Sequence, residues 1–313
     1  MPIASKRKSE VRKDAPIEPE TLPRLEQEEL PAPPKVTALI FSYDSAPALR
    51  RCLAALEGSN DRASIEILVV DCGSHDESPQ LDSEFPEATF LRLPRYFGRT
   101  KAFNIGTRTA NGEYLLFLTP EVEVLPATVP ALLARIESDS ETVAAAPLLL
   151  DIEGHLAPQF FRLPTPQTGI EPPPVEIDKS AEAVTVEYAT FHALLVRKYF
   201  VKGINYFDER YGEFFADAEL AYQIRRASRK TVVLPQVTAL YTPSSPYSAS
   251  AETILMADRY HGAATYFGKH YGFVTGLLFR IKSALAALFT FRLGLFAALI
   301  SGSKIDGSQT AIL

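Results

Sequence analysis

Short apolar runs that stop on polar or acidic residues, separated by stretches of helical period, constrain this chain more than any other feature. The first, VTALIFSY from Val36, is apolar almost throughout, as a strand buried on both faces is. Residues 46–56 then place Leu49, Cys52, Leu53 and Leu56 at helical spacing. The strand pattern returns in IEILVVD (65–71), TFLRL (89–93), EYLLFL (113–118), VAAAPLLL (143–150) and TVVLP (231–235). Residues 100–110, 126–136, 213–227 and 251–270 read as helices. Strands alternating with helices at this spacing predict an α/β fold, a mostly parallel sheet joined by crossover helices. A chain of 313 residues can bury one large core.

Three segments fall outside this alternation. Residues 1–34 mix Lys, Arg, Glu and Pro without apolar periodicity and read as a disordered tail, leaving 35–272 as the folded domain. Residues 151–183 are rich in proline (LPTPQ, EPPP) and read either as a long loop near a site or as disorder. Residues 273–313 form a third unit with a strongly apolar stretch, 273–300, interrupted by Arg280, Lys282 and Arg292. Arg292 falls near the middle of the longest apolar run, so a helix lying in a membrane interface, or a helical hairpin, fits better than a span; packing on the domain itself is the other reading.

Charge and cysteine content exclude several classes. A net charge of −6 argues against nucleic acid as partner. Cys52 and Cys72 make neither a disulfide framework nor zinc spacing, and both read as buried thiols of a reducing compartment. The basic N-terminus has no apolar stretch behind it, which predicts a cytoplasmic protein without a secretory signal. Ser74, His75 and Asp76 are consecutive and form no triad, and no glycine-rich phosphate loop follows a strand. His155, His192, His261 and His270 lack metal-ligand spacing.

In open parallel sheets, ligands bind at the carboxyl ends of the strands. Those ends read Ser42-Tyr43-Asp44, Asp71-Cys72-Gly73-Ser74, Phe97-Gly98-Arg99 and Thr119-Pro120-Glu121-Val122-Glu123. Acidic residues at the ends of several strands suit a nucleotide, its phosphates and a cation meeting there.

The motifs SYDS (42–45), VVDCGSHD (69–76), FGRTKAFNIG (97–106), LTPEVEV (118–124), INYFDERY (204–211) and ADAEL (216–220) stand in the order and spacing of a known family. Over roughly residues 36–270 the chain resembles family 2 glycosyltransferases, in particular the bacterial rhamnosyltransferase-like group. The resemblance implies the GT-A fold, a Rossmann-like sheet flanked by helices. It also implies inverting transfer from a UDP- or dTDP-sugar to a lipid-linked or polysaccharide acceptor of the cell envelope. A membrane-associated acceptor suits the apolar C-terminal stretch and a peripheral location at the inner face of the cytoplasmic membrane.

In that reading Tyr43 stacks on the base, with Asp44 beside it, and Asp71 accepts a hydrogen bond from a pyrimidine N–H. Gly73 and Ser74 let the backbone approach the ligand. Gly98 opens a helix whose free N–H groups, with Arg99 and Lys101, face the diphosphate, and Asn104 orients the sugar or the first loop. Glu121 and Glu123 match the acidic metal motif, implying Mg²⁺ or Mn²⁺, and Asp217 matches the general base. A turn-forming Asp, a solvated basic turn, a solvated acidic turn and a helix-surface Asp are the bland alternatives. Three departures bear on the metal and the base. Glu121 stands where the family has Asp, Ala216 where it has Glu, and VTALYTPSS lacks a histidine common in that strand. The sequence therefore leaves two functions open, a working transferase and a catalytically silent relative that binds nucleotide sugar or assists assembly.

Overall fold

Side chains of β1 (Val36–Ser42) alternate between two apolar cores, and this buries the strand along its whole length. Leu39 and Phe41 join Phe103 and Leu220 on one side; Ala38 and Ile40 join Leu53 and Leu132 on the other. The computed structural model describes residues 33–308, apart from 245, 246 and the side chain of 249. The expected tail, residues 1–34, lies outside the described residues except for its last two positions.

After β1 come α1 (Ala46–Glu57), β2 (Ile65–Asp71), β3 (Ala88–Arg92), α2 (Arg99–Thr109) and β4 (Tyr114–Leu118). The middle of the chain holds β5 (Val122–Val124), α3 (Thr128–Ser138), β6 (Thr142–Leu150), β7 (Phe160–Phe161), β8 (Val184–Val186) and β9 (Tyr188–Ala189). Then follow β10 (Ala193–Arg197), α4 (Lys198–Gly203), α5 (Ala216–Arg226), β11 (Lys230–Tyr241), α6 (Glu252–His270), α7 (Phe273–Phe289) and α8 (Leu293–Ser301). One sheet runs β3-β2-β1-β4-β10-β6-β11-β5, with β8 also on β11. Helices α1 and α3 cover one face, and α2, α5 and α6 the other.

The first four strands of that order are parallel, as expected, whereas the far half is mixed. β10 is antiparallel to both β4 and β6, and β11 is parallel to β6 but antiparallel to β5 and β8. The reason lies in residues 151–192. β6 delivers the chain to the carboxyl end of the sheet, no crossover helix carries it back, and β10 must start from that same end. The proline-rich segment therefore sits at the carboxyl end of the parallel strands. It carries β7, paired with β9, and buries Phe160, Leu163 and Ile177. Pro147 is tolerated inside β6 because β10 pairing stops at Ala145, and the register of β11 slips just after Leu234.

α5 starts three residues later than its sequence pattern predicts, because Phe215 adopts the left-handed conformation (φ 77°) and residues 213–215 belong to the site. Beyond residue 272, α7 packs on α6, and Ile305 returns to the core, its N–H donating to Asp258 Oδ1 at 2.8 Å. No helix among the described residues is long and apolar enough to cross a membrane.

The seating of α2 on β1 positions everything that follows. A Cβ at Gly106 would fall 2.2 Å from Leu39 Cδ1, inside a fully buried layer. Gly106→Ala is expected to destabilise by about 1–3 kcal/mol in denaturant unfolding, in spite of alanine's better helix propensity. Gly203→Ala, with nothing within 4 Å of the added carbon, should stay within about 0.5 kcal/mol of the parent.

Candidate active site

β1 and β4 are neighbours, but the chain leaves them toward opposite halves of the sheet, so a crevice opens between their carboxyl ends. The loop after β1 is held to the loop after β2 by acidic side chains. Asp44 (φ 39°) accepts from the N–H of His75 at 2.5 Å and of Asp76 at 3.3 Å, and donates its own N–H to Ser74 Oγ at 2.9 Å. Asp71 accepts from Ser74 N–H at 3.2 Å and from Ser74 Oγ at 2.5 Å. Burial raises the Asp71 carboxyl above the usual aspartate range, against the pull of the Ser74 bonds. Asp44, Asp71 and Ser74 thus form one clamp, while Tyr43 is left lining the crevice. Burial, then the neighbouring Asp44, pushes its phenol up to about 12. The close approach at Gly73 (φ 74°) is to protein, since a Cβ there would meet Arg95 Cα at 2.7 Å.

Gly98 (φ 85°) turns the chain into α2, where Arg99 meets Glu213 from 114 residues away. The guanidinium lies 2.8 Å from Glu213 Oε1, and the Arg99 N–H donates to Oε2 at 3.0 Å. Glu213 also accepts from the Tyr96 hydroxyl, which lies 2.8 Å from the Tyr247 hydroxyl. Burial works against the Arg99 charge, but Glu213, with Tyr247, Tyr96 and Asp217 adding to it, outweighs that and holds the guanidinium above its ordinary value. The Thr100 N–H donates to Gly212 O. The first two N–H groups of α2 are therefore taken by residues 212 and 213, and what this helix end presents to the crevice is the Arg99 side chain. Lys101 stacks on Phe97, 4.2 Å from the ring centre, and lines neither cavity of the site. Asn104 is buried and brackets the 207–209 turn, donating to Phe207 O at 2.8 Å and accepting from Phe207 N–H at 2.9 Å. It too lines neither cavity.

The crevice over Tyr43, about 110 Å³, is lined by Arg99, Thr119, Glu121, His192, Tyr241 and Tyr247 among others. Glu121 faces it and accepts from Ser244 Oγ at 2.8 Å. Glu123 does not: its carboxylate accepts from Arg51 Nε at 2.8 Å, outside the crevice. The buried Thr119 hydroxyl has no partner. His192, one of the histidines without metal-ligand spacing in the sequence, lines this crevice. It stands just before β10, its Nδ1 2.7 Å from Thr190 Oγ1 and its ring edge-on to Tyr241 at 5.4 Å. Burial, then Arg99, lowers its pKa to about 3, so the ring is neutral at physiological pH.

Arg99 and His192 also line a second cavity, of about 420 Å³. Asp217, in the first turn of α5, lies here with Tyr188, Arg259 and Glu213. Its Oδ1 accepts from the Ala218 N–H at 2.9 Å. Burial raises the Asp217 carboxyl, partly offset by Arg99. Pro158, Phe161, Pro164, Ile170 and Pro172 make an apolar wall, so the 151–183 segment is a wall of the site. Position 216 is Ala, and Glu213, three residues earlier, places a carboxylate on the same cavity. Glu213, His192, Tyr247 and Arg259 carry no local signal that marks them in the sequence.

The sequence model of Glycosyl transferase family 2 matches residues 37–167. Residues 37–167 carry a family 2 glycosyltransferase domain. Glycosyl transfer is its activity class, and the match takes in β1 to β6 and the first part of the apolar wall. An N-acetylglucosaminyl-diphospho-decaprenol L-rhamnosyltransferase of Mycobacterium tuberculosis is 23% identical over 257 residues, covering 71% of this chain and 83% of that one. Among solved structures, GalNAc-T7 with UDP, GalNAc and Mn²⁺ superposes with a TM-score of 0.56 at 17% identity, covering 68% of this chain and 46% of that one. Mannosyltransferase PcManGT from Pyrobaculum calidifontis, in complex with GDP-Man and Mn²⁺, gives 0.52 at 14% identity, covering 87% and 86%. These superpositions establish the GT-A fold.

The raised Asp217 carboxyl fixes the sign of a stability effect. A carboxyl whose pKa is higher folded than unfolded binds more protons in the folded state, so stability falls as pH rises from the ordinary aspartate range through the raised value. Asp217→Asn is expected to remove that loss, leaving the melting temperature unchanged at pH 4 and equal or higher at pH 8. A variant that melts lower at pH 8 than at pH 4, relative to wild type, would contradict this electrostatic account.

Proposed function

We propose that the enzyme transfers a sugar from a UDP- or dTDP-linked donor to a hydroxyl of a lipid-linked or polysaccharide acceptor in envelope glycan synthesis, with inversion. The observation that carries this reading is the pair of cavities meeting at Arg99 and His192, one edged by Tyr43 and Glu121, the other holding Asp217. The donor nucleotide belongs over Tyr43, where the Tyr247 ring, 6.2 Å from Tyr43, must give way to admit a base. Asp71 keeps spare lone pairs for a base N–H while it shapes the loop. The acceptor belongs in the larger cavity, as the Mycobacterium relative's lipid-linked substrate suggests.

In the transfer step, the acceptor oxygen attacks the anomeric carbon and its proton passes to the Asp217 carboxylate. The bond from that carbon to the diphosphate breaks, and nucleoside diphosphate leaves beside Arg99. A single displacement inverts the configuration. The raised Asp217 carboxyl suits a proton acceptor working near neutral pH.

The residues of the crevice fit a divalent cation of the Mg²⁺ or Mn²⁺ kind. Glu121 supplies a carboxylate, His192 a neutral imidazole and Thr119 an unpartnered hydroxyl. Such ions are commonly held by one or two carboxylates together with waters and substrate phosphates. When bound, the cation neutralises charge on the diphosphate. Because Glu123 is committed to Arg51, Glu121 is left as the single carboxylate, and this favours a second reading, a silent relative that binds donor without turnover.

Release of nucleoside diphosphate across a donor panel separates the two. Asp217→Asn is expected to cut turnover by roughly 10²-fold or more with donor affinity nearly unchanged, and the acid limb of kcat/KM should lie above the ordinary aspartate range. Turnover within a few-fold of wild type would remove Asp217 from the step. Glu121→Ala should abolish any tightening of nucleoside diphosphate binding by Mn²⁺ in calorimetry while leaving metal-free affinity about the same. The silent reading expects no turnover with any donor and no response to Mn²⁺.

A further inference from the structure

A helix on a protein surface normally buries its large apolar side chains and shows its small or polar ones. α7 does the reverse. Its buried residues are Gly276, Ser283, Ala284 and Ala287. They bring it so close to α6 that a Cβ at Gly276 would meet Ala264 O at 2.5 Å. That contact leaves Phe273, Leu277, Ile281, Leu285 and Phe289, one row at i+4 spacing, exposed, with Phe273 and Phe289 each 77% accessible. Of the sixteen large hydrophobic residues exposed among the described residues, twelve lie between 271 and 300. A contiguous apolar patch of this kind marks an interaction surface.

Charge identifies what covers it. Residues 271–305 contain no Asp or Glu but do contain Arg280, Lys282, Arg292 and Lys304, although the whole chain carries −6. Arg280 is used internally, donating to Leu299 O at 2.9 Å and to Ile300 O at 3.1 Å, so it closes the α7–α8 hairpin. Lys282 and Arg292 are exposed on the hairpin. Large apolar side chains flanked by basic ones are what an anionic lipid surface selects, and α7 at 17 residues lies in such a surface without crossing it.

The patch also adjoins the acceptor cavity. Tyr271, just before α7, donates its hydroxyl to Pro164 O at 3.2 Å, and Phe279 packs at Gly169. Pro164 and Ile170 belong to the cavity wall. We infer that the α7–α8 hairpin seats the enzyme on an anionic membrane surface, with the proline-rich wall of the Asp217 cavity turned toward the lipid. Seating does not depend on the transfer reading, because it needs neither donor nor turnover.

The test is flotation of the full chain with vesicles of phosphatidylglycerol and phosphatidylcholine, and with phosphatidylcholine alone. The protein should float with the anionic vesicles and bind the neutral ones at least tenfold more weakly. Phe273→Ser, Leu277→Ser and Phe289→Ser together should lower vesicle affinity by roughly tenfold or more with the melting temperature unchanged, because these side chains are already exposed. Lys282→Glu with Arg292→Glu should weaken binding to anionic vesicles alone, also by about tenfold or more. Light scattering without vesicles covers the competing occupant. A dimer that the triple serine variant splits into monomers would assign the face to a second copy and overturn the inference, as would failure to float with either vesicle or flotation unaffected by both variants.

Discussion

The ion pair between Arg99 and Glu213 is the interaction on which the rest of the site depends. Glu213 is buried, and an unpaired carboxylate there would be costly. Arg99 answers it twice, with the charge of its guanidinium and a hydrogen bond from its backbone N–H, and the Tyr96 hydroxyl donates as well. One contact thereby fixes the start of α2, the approach to α5 and the floor under Tyr247. It also ties the matched family domain to residues beyond 167, where Asp217 lies. Asp258 supports it from behind, its Oδ2 accepting the Glu213 N–H and its Oδ1 the Ile305 N–H, so the C-terminal return is tied to the same centre.

The pair also sets the electrostatics on both sides. Arg99 adds to burial in lowering the basicity of His192 in the crevice, and pulls the Asp217 carboxyl down against burial in the larger cavity. With Glu213 balancing part of its charge, Arg99 can meet a diphosphate without being a bare cation in an apolar setting. The departures from the family pattern look different in this light. Position 216 is Ala, but Glu213 brings a carboxylate to the same cavity. β11 carries no histidine, but the neutral His192, just before β10, stands edge-on to its Tyr241.

Strands, helices and the cavity-bearing end of the sheet were legible because they rest on local periodicity and on strand-end residues. Tyr43, Arg99, Glu121 and Asp217 all line the cavities at that end. What the sequence could not reveal was which polar groups are already spent. The Asp44 carboxylate is taken by the N–H groups of His75 and Asp76, Lys101 stacks on Phe97, Asn104 brackets Phe207, and Glu123 turns to Arg51; all but the Lys101 contact depend on pairing between residues far apart in the chain. The antiparallel direction of β10 was hidden for a similar reason. Its direction follows from where residues 151–192 remain, and proline-rich chain has no periodicity to announce that.

A double-mutant cycle on unfolding in urea tests the Arg99–Glu213 coupling most directly, with Arg99→Gln, Glu213→Gln and the pair together. Each single change strands a partner in a mostly buried setting and should cost about 3–5 kcal/mol. The double variant should cost little more than either, a coupling of about 2 kcal/mol or more. Single costs that add to within about 0.5 kcal/mol would mean the two side chains act independently, and the centre proposed for this site would not exist.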